Sequence, residues 1–102
     1  MKNIELKNKH PMSFRTADLV VSKKGRDQKR VFMIVETVSE DYVLIADGSL
    51  RKLEKPKLKK TKHLETFGVA SERVTGKLTE GKKITNAELR KMLKEITSKD
   101  SD

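Results

Sequence analysis

The fold of this chain is decided by residues 31–48, which read VFMIVETVSEDYVLIADG. Two apolar runs, residues 31–35 and 42–46, are rich in Val and Ile and are separated by the polar break Ser39-Glu40-Asp41. Runs of this length that end at polar turn residues are typical of β-strands. Because parallel strands need a long crossover connection, strands with links this short are expected to pair antiparallel.

The pattern extends in both directions from this stretch. A third β-branched run, residues 19–21, precedes it, and Leu50 and Leu53 alternate with charged residues after it. Between them Asp47-Gly48 predicts a two-residue hairpin turn, since Gly takes a positive φ without steric cost. A short antiparallel sheet buries a face only by curling, and closure also removes its exposed edges. We therefore predict an all-β core that forms a small five-stranded barrel.

The C-terminal end has a different periodicity. Thr85 and Glu88 have the spacing of a capping box, in which each side chain bonds the backbone N–H of the other residue. One helical stripe of apolar residues follows, and it consists of Leu89, Met92, Leu93 and Ile96. We expect this helix, residues 85–97, to pack on the barrel.

The remaining segments define the expected organisation. Residues 1–16 are a polar N-terminal extension and residues 17–65 form the barrel. Residues 66–84 contain three glycines and little periodicity, which predicts a linker before the helix at 85–97. Residues 98–102 are expected to be a frayed tail.

The composition of the chain limits the classes of protein to which it can belong. With 102 residues, 34% hydrophobic and 38% charged, the chain has enough apolar material for one small domain. It has no Cys, which excludes disulfides, thiolate metal sites and Cys nucleophiles. No apolar run approaches the roughly 20 residues of a membrane span, and the N-terminus lacks a signal-peptide core. We expect a soluble cytoplasmic protein without membrane partners.

The net charge of +9 is unevenly distributed. Residues 49–63 hold seven Lys and Arg against one acid, whereas residues 25–48 hold three against five. Solubility alone does not require such clustering. A polyanion is therefore the leading candidate partner.

The basic segment 49–63 is interpreted as a binding strand. Leu53, Leu58 and Leu64 are expected to anchor it while its cations project outward, and Pro56 keeps it extended. Ammonium groups along an extended segment can follow a phosphate backbone. An alternative is an edge strand that lysines protect from aggregation, although one or two lysines suffice for that.

Catalytic and metal sites are not expected. His10 and His63 have polar, basic neighbours and no acidic residue at metal-ligand spacing. The acids that could bind Mg²⁺ each have a turn or strand-surface role that explains them as well, and they are Asp18, Asp27, Glu36 and Asp47. We predict no enzyme activity, no cofactor and no metal. With one Tyr and three Phe, and Phe32 expected in the core, recognition by shape and phosphate is favoured over a stacking platform.

A family resemblance rests on two blocks of sequence. Residues 19–27 (LVVSKKGRD) followed by residues 31–35 (VFMIV) resemble a KOW motif, which is a strand, a Gly-Arg-Asp loop and a second apolar strand. Residues 43–48, 51–52 and 56–64 extend the likeness to short bacterial KOW-domain RNA-binding proteins. Those proteins are similar to the KOW-bearing large-subunit ribosomal proteins of archaea and eukaryotes. The resemblance covers residues 17–65.

The resemblance implies an SH3-like barrel that binds structured RNA, with ribosomal RNA the expected partner and ribosomal proteins an open further one. Off the ribosome we expect a monomer. Where the KOW pattern has a Gly two residues after the loop Asp, this chain has Lys29, so either the turn differs or Lys29 takes a positive φ. The residues predicted to contact RNA are Lys23, Lys24, Gly25, Arg26, Lys29, Arg30, Arg51, Lys52, Lys55, Lys57, Lys59, Lys60, Lys62 and His63.

A second function stays open at this point. KOW domains of transcription elongation factors bind proteins, so the barrel is alternatively a module for an acidic protein partner. The scarcity of aromatic residues favours RNA, because protein interfaces prefer aromatic anchors.

Overall fold

A computed structural model describes residues 14–25 and 29–100. Strands precede helices along the chain. The strands are β1 (Asp18–Ser22), β2 (Val31–Thr37), β3 (Tyr42–Ala46), β4 (Lys57–Lys60) and β5 (Leu64–Val69), with a 3-10 helix (Thr61–His63) between the last two. The helices are α1 (Glu72–Thr79) and α2 (Asn86–Asp100). Most of the predicted N-terminal extension, the loop residue Arg26 and the last two residues lie outside the described part.

The strands form one antiparallel sheet with the order β4-β3-β2-β1-β5. Val20 pairs with Phe32 between β1 and β2, and Ile34 pairs with Ile45 between β2 and β3. The register shifts once in the β1–β5 pair and once in the β2–β3 pair. Such irregularities bend a strand and increase its local twist, which favours a curled sheet. The antiparallel pairing of all five strands confirms the predicted all-β core.

The connection between the two edge strands shows how strongly the sheet curls. β4 and β5 are opposite edges, yet only the three residues Thr61–His63 separate them. The edges of a flat five-stranded sheet lie about 19 Å apart, and this connection reaches at most about 14 Å. The Thr61 N–H donates to the Asp41 carbonyl beside β3, and the Lys23 N–H donates to the His63 carbonyl beside β1, each at 2.8 Å.

The curled sheet is nevertheless open. Among the described residues no ladder of backbone hydrogen bonds joins β4 to β5. The expected complete closure is thus not found. A 3-10 helix of three residues bridges the two edges at one end instead.

Apolar side chains lie on both faces of the sheet. The concave face buries one cluster, made of Val20, Phe32, Ile34, Val43, Ile45 and Leu64. The convex face buries a second cluster with the helices, in which the sheet gives Leu19, Met33 and Ala46 and the helices give Val74, Leu89, Met92 and Leu93. Each fully buried large side chain contributes roughly 1.5–3 kcal/mol, so both layers are needed to hold so small a domain together.

Helix α2 agrees with the prediction from its apolar stripe. Glu88 N–H donates to the Thr85 Oγ1 at 3.0 Å, and Thr85 N–H donates to the Glu88 Oε1 at 2.9 Å. This reciprocal pair is the expected capping box. The helix runs to Asp100, so residues 98–100 of the predicted frayed tail are helical.

Residues 66–84 are not the linker that their glycines predicted. They contain most of β5 and all of α1. The Ser71 side chain accepts a hydrogen bond from the Val74 N–H and caps α1, and Val74 and Leu78 then pack in the convex-face cluster. Gly76 lies within α1 with a negative φ. A single glycine weakens a helix by about 1 kcal/mol, which burial of the apolar side offsets.

The connection after β3 also differs from the prediction. Residues 47–56 form a loop before β4, so Asp47-Gly48 is not a two-residue hairpin turn. Gly48 does have the expected positive φ, 81°. The Asp47 carboxylate shapes the start of the loop by accepting hydrogen bonds from the N–H groups of Ser49 and Arg51, both at 2.9 Å.

Candidate functional site

Two basic segments that are distant in sequence meet at one end of the sheet. One is residues 23–25, directly after β1, and the other is residues 59–63, which end β4 and form the 3-10 helix. The Lys23 N–H donates to the His63 carbonyl at 2.8 Å, and the Lys59 Nζ donates to the Lys24 carbonyl at 3.3 Å. We call residues 23–25 and 59–63 together the basic rim.

His63 lies among the positive charges of the rim. Burial lowers the pKa of His63 below its usual 6.5, and the positive charges of four surrounding lysines lower it further. Those lysines are Lys24, Lys59, Lys60 and Lys62. Cations from both segments thus act on one ring, so the rim concentrates positive potential.

Four lysines of the rim have exposed side chains and can contact an anion that approaches from solvent. Lys23, Lys24, Lys60 and Lys62 are all exposed. None of them takes part in the ion pairs seen among the described residues, which join Arg30 to Asp47, Lys77 to Glu88 and Lys82 to Glu80. Within residues 14–25 and 29–100, no carboxylate forms an ion pair with these four lysines.

Lys59 contradicts the prediction that the lysines of this segment project outward while Leu58 is buried. Lys59 pairs with Val43, whose side chain belongs to the concave-face cluster, and Leu58 pairs with Leu44 on the other face. Paired residues share a face of the sheet, so Lys59 is only 9% exposed and Leu58 is 52% exposed. The Lys59 ammonium holds the loop after β1 rather than an external ligand.

The two predicted cations before β2 have different surroundings. Lys29 is exposed and has a φ of 72°, and its N–H donates to the Ser22 carbonyl at 2.7 Å. Arg30 forms an ion pair with Asp47 at 2.9 Å. Burial acts to raise the pKa of Asp47, but hydrogen bonds from Arg51, Ser49 and Arg30 outweigh it and hold that pKa below its usual value. The charge of Arg30 is therefore largely committed to Asp47.

The loop of residues 47–56 presents a second group of predicted cations next to α2. The Leu53 N–H donates to the Asn86 Oδ1 at 2.8 Å, and the Arg90 Nη1 donates to the Gly48 carbonyl at 2.6 Å. These bonds fix the loop against the start of α2. The loop carries Arg51, Lys52 and Lys55, and Lys57 is the first residue of β4 after it.

Sequence reasoning missed a cleft beside the rim. It has a volume of about 300 Å³ and is lined by Asp41, Tyr42, Lys60, Thr61 and Lys62. Tyr42 and Lys60 are cross-strand partners at the end of the β3–β4 pair. The one sequence feature that could have indicated the cleft is Tyr42 at the start of an apolar run, and a strand of the core explains a tyrosine there equally well. The meeting of β3 with the 3-10 helix appears only in the fold.

The described residues offer neither a metal-binding cluster nor a membrane-crossing helix. No group of three or more His, Asp or Glu side chains in residues 14–25 and 29–100 is arranged to hold a metal ion. In that same part of the chain, none of the helices combines the length and the apolar character needed to cross a membrane.

Comparison with known proteins gives no relative from which a function could be transferred. No protein-family model matches the chain, and no curated protein does. The KOW resemblance therefore stays a prediction.

Proposed function

We propose that this protein binds structured RNA, with ribosomal RNA as the target, through the basic rim. It acts as a binding protein rather than an enzyme and works in the cytoplasm. The observation that supports this most is the meeting of residues 23–25 with residues 59–63, where four lysines act on one histidine. Phosphates that neutralise such lysines release condensed counterions, which supplies affinity.

The curled sheet supports the family part of the proposal. Five antiparallel strands whose edges are linked by a three-residue 3-10 helix make a compact, barrel-like core. We propose that this core is an SH3-like barrel of the KOW type that has remained open between β4 and β5. In this interpretation residues 23–30 form the KOW loop.

The composition of the rim favours RNA over an acidic protein surface. Its exposed charged side chains are lysines, namely Lys23, Lys24, Lys60 and Lys62. Lysine is depleted at protein–protein interfaces but binds phosphate well as a compact charge. The predicted loop cations Lys52 and Lys55 are also exposed, and long-range attraction is the role we assign to them.

Sedimentation with purified ribosomal particles tests the proposal. We expect the protein to sediment with the particles at low salt and to dissociate progressively as salt increases. Filter binding to a ribosomal RNA fragment, with polyglutamate as the competitor, separates the two partner classes. Polyglutamate that displaces RNA at equal charge concentration would favour the acidic-protein alternative, and failure to bind particles or RNA at low salt would refute the proposal.

A further inference from the structure

The cleft beside the rim is formed by three neighbouring pieces of the chain. Tyr42 and Lys60 lie opposite each other on the convex face, because the alternate residue Val43 faces the concave-face cluster. Lys62 and Thr61 come from the 3-10 helix, and Asp41 comes from the turn before β3. At about 300 Å³, the cleft lies at the lower end of the size range of small-ligand sites.

Hydrogen bonds to backbone carbonyls fix the walls of the cleft. The Thr61 N–H donates to the Asp41 carbonyl at 2.8 Å, and the Thr61 hydroxyl donates to the Glu40 carbonyl at 3.1 Å. On the other side, the Val38 N–H donates to the Tyr42 carbonyl at 3.0 Å. The turn, the strand and the 3-10 helix are therefore held together, and a ligand meets a largely preformed site.

The side chains that line the cleft favour a ligand that has three kinds of chemical group, one to match each kind of lining residue. An aromatic ring offers a stacking surface, two ammonium groups attract an anion, and a carboxylate accepts hydrogen bonds from a donor. A bare phosphate uses only the two lysines and makes no use of the Tyr42 ring or the Asp41 carboxylate. A nucleotide has all three groups: a planar base, a phosphate, and amino or hydroxyl donors.

We propose that this cleft binds one unpaired nucleotide of the RNA. The base lies against the Tyr42 ring, the phosphate contacts Lys60 and Lys62, and Asp41 accepts a hydrogen bond from the same nucleotide. The inference rests on the proposed function and deepens it, because it adds selection for a bulged or looped position to attraction by charge. Lys60 and Lys62 belong to both the rim and the cleft, so the duplex next to that nucleotide would lie along the rim.

A pair of RNA hairpins isolates the contribution of the base. Both carry a single-nucleotide bulge, but in one the bulged position is abasic, so the phosphates are identical. We expect the complete bulge to bind wild-type protein roughly tenfold more tightly, since stacking of one base on an aromatic side chain has an effect of that order. Tyr42→Phe should keep this preference because the ring remains, and Tyr42→Leu should abolish it.

Leu58→Ala is the matched control, because Leu58 is exposed on the same convex face of β4, the strand that contributes Lys60 to the cleft. It should keep the tenfold preference. Thermal melting checks that Tyr42→Leu is folded. The comparison of Tyr42→Phe with wild-type protein can be interpreted even if Tyr42→Leu is unstable. Equal binding of the two hairpins by wild-type protein overturns the nucleotide site and leaves RNA binding intact. Failure to bind either hairpin overturns both proposals.

Discussion

Lys29 adopts a φ of 72° although it is not glycine. The left-handed region costs a residue with a Cβ about 1–2 kcal/mol. The KOW pattern has Gly at this position, and the sequence is compatible with a change in either the turn or the residue. In the structure Lys29 itself has the positive φ, and its N–H donates to the Ser22 carbonyl, which holds the strained conformation in place.

Replacement of Lys29 by Gly should therefore raise the free energy of unfolding by about 1 kcal/mol, because it relieves the positive-φ strain. Urea denaturation measures this. Lys52→Gly is the matched control, since Lys52 is also an exposed loop lysine but has no positive φ. It should lower stability slightly through the added chain entropy. A fall in stability in Lys29→Gly as large as in the control would contradict the strain argument.

His63 provides a pH-dependent readout of the rim. Burial and the nearby lysines lower its pKa in the folded protein below 6.5. The unfolded chain therefore takes up this proton first as pH falls, so the stabilisation from a neutral His63 is present above pH 6.5 and is lost as pH falls through the folded pKa. If RNA binds at the rim as proposed, its phosphates should offset the lysine charges and raise the pKa of His63 in the complex.

RNA binding should accordingly take up a proton and become tighter between pH 7.5 and pH 6. In a His10→Gln background, where His63 is the only histidine of the chain, filter binding at the two pH values should show this increase. Adding His63→Gln should remove most of it. The same pH dependence with and without His63 would show that the ring does not face the bound phosphates.

At the scale of elements, residue patterns predicted the strands and the helix cap that depend on neighbours along the chain. They did not predict which face of a strand is buried, because that depends on its register in the sheet. The apolar runs of β2 and β3 and the capping box of α2 are visible in the sequence because each needs only neighbours along the chain. The faces of β4 were inverted, since the length of the preceding loop sets its register and a shift of one residue exchanges the faces. Helix α1 was missed because glycines hid a stripe of only two apolar residues, Val74 and Leu78.

Two leucines test which faces are buried. Leu93 is 7% exposed between α2 and the sheet, whereas Leu58 is 52% exposed on β4. Leu93→Asp should lower the free energy of unfolding by about 3 kcal/mol or more, because it buries an unpaired carboxylate. Leu58→Asp should change it by less than about 1 kcal/mol. Similar midpoints of thermal unfolding for the two variants would show that one of these faces is misassigned.

Gly48 tests the contact between the loop after β3 and helix α2. A Cβ at Gly48 would lie 2.5 Å from the Asn86 carbonyl oxygen, and its φ is positive. Gly48→Ala should lower the free energy of unfolding by at least about 2 kcal/mol. In Gly76→Ala the added Cβ meets nothing within 4 Å inside α1, so stability should rise by about 0.5–1 kcal/mol. A neutral Gly48→Ala would mean that the loop does not pack on α2 as described.

At the scale of the whole molecule, the charge count indicated a polyanion but not where it binds. Fourteen candidate residues came from the sequence, and the fold brings residues 23–25 and 59–63 together while it sets residues 51–55 beside α2. Lys59 is buried, and the charge of the exposed Arg30 is offset by its ion pair with Asp47. Composition cannot make these distinctions, because they follow from the curl of the sheet and from which side chains find partners in the fold.

The central claim is that RNA binds at a defined rim and not simply to a basic protein. The salt dependence of RNA binding tests it in two triple variants with equal charge change. Replacing the exposed rim lysines Lys24, Lys60 and Lys62 by Gln should lower the log–log salt slope by about 0.7–0.9 for each lysine–phosphate ion pair removed, about 2 to 3 in total. Replacing Lys83, Lys91 and Lys94 by Gln, which are exposed residues before and on α2 and not part of the rim, should leave the slope nearly unchanged. Equal reductions of slope and affinity in the two variants would contradict a localised site.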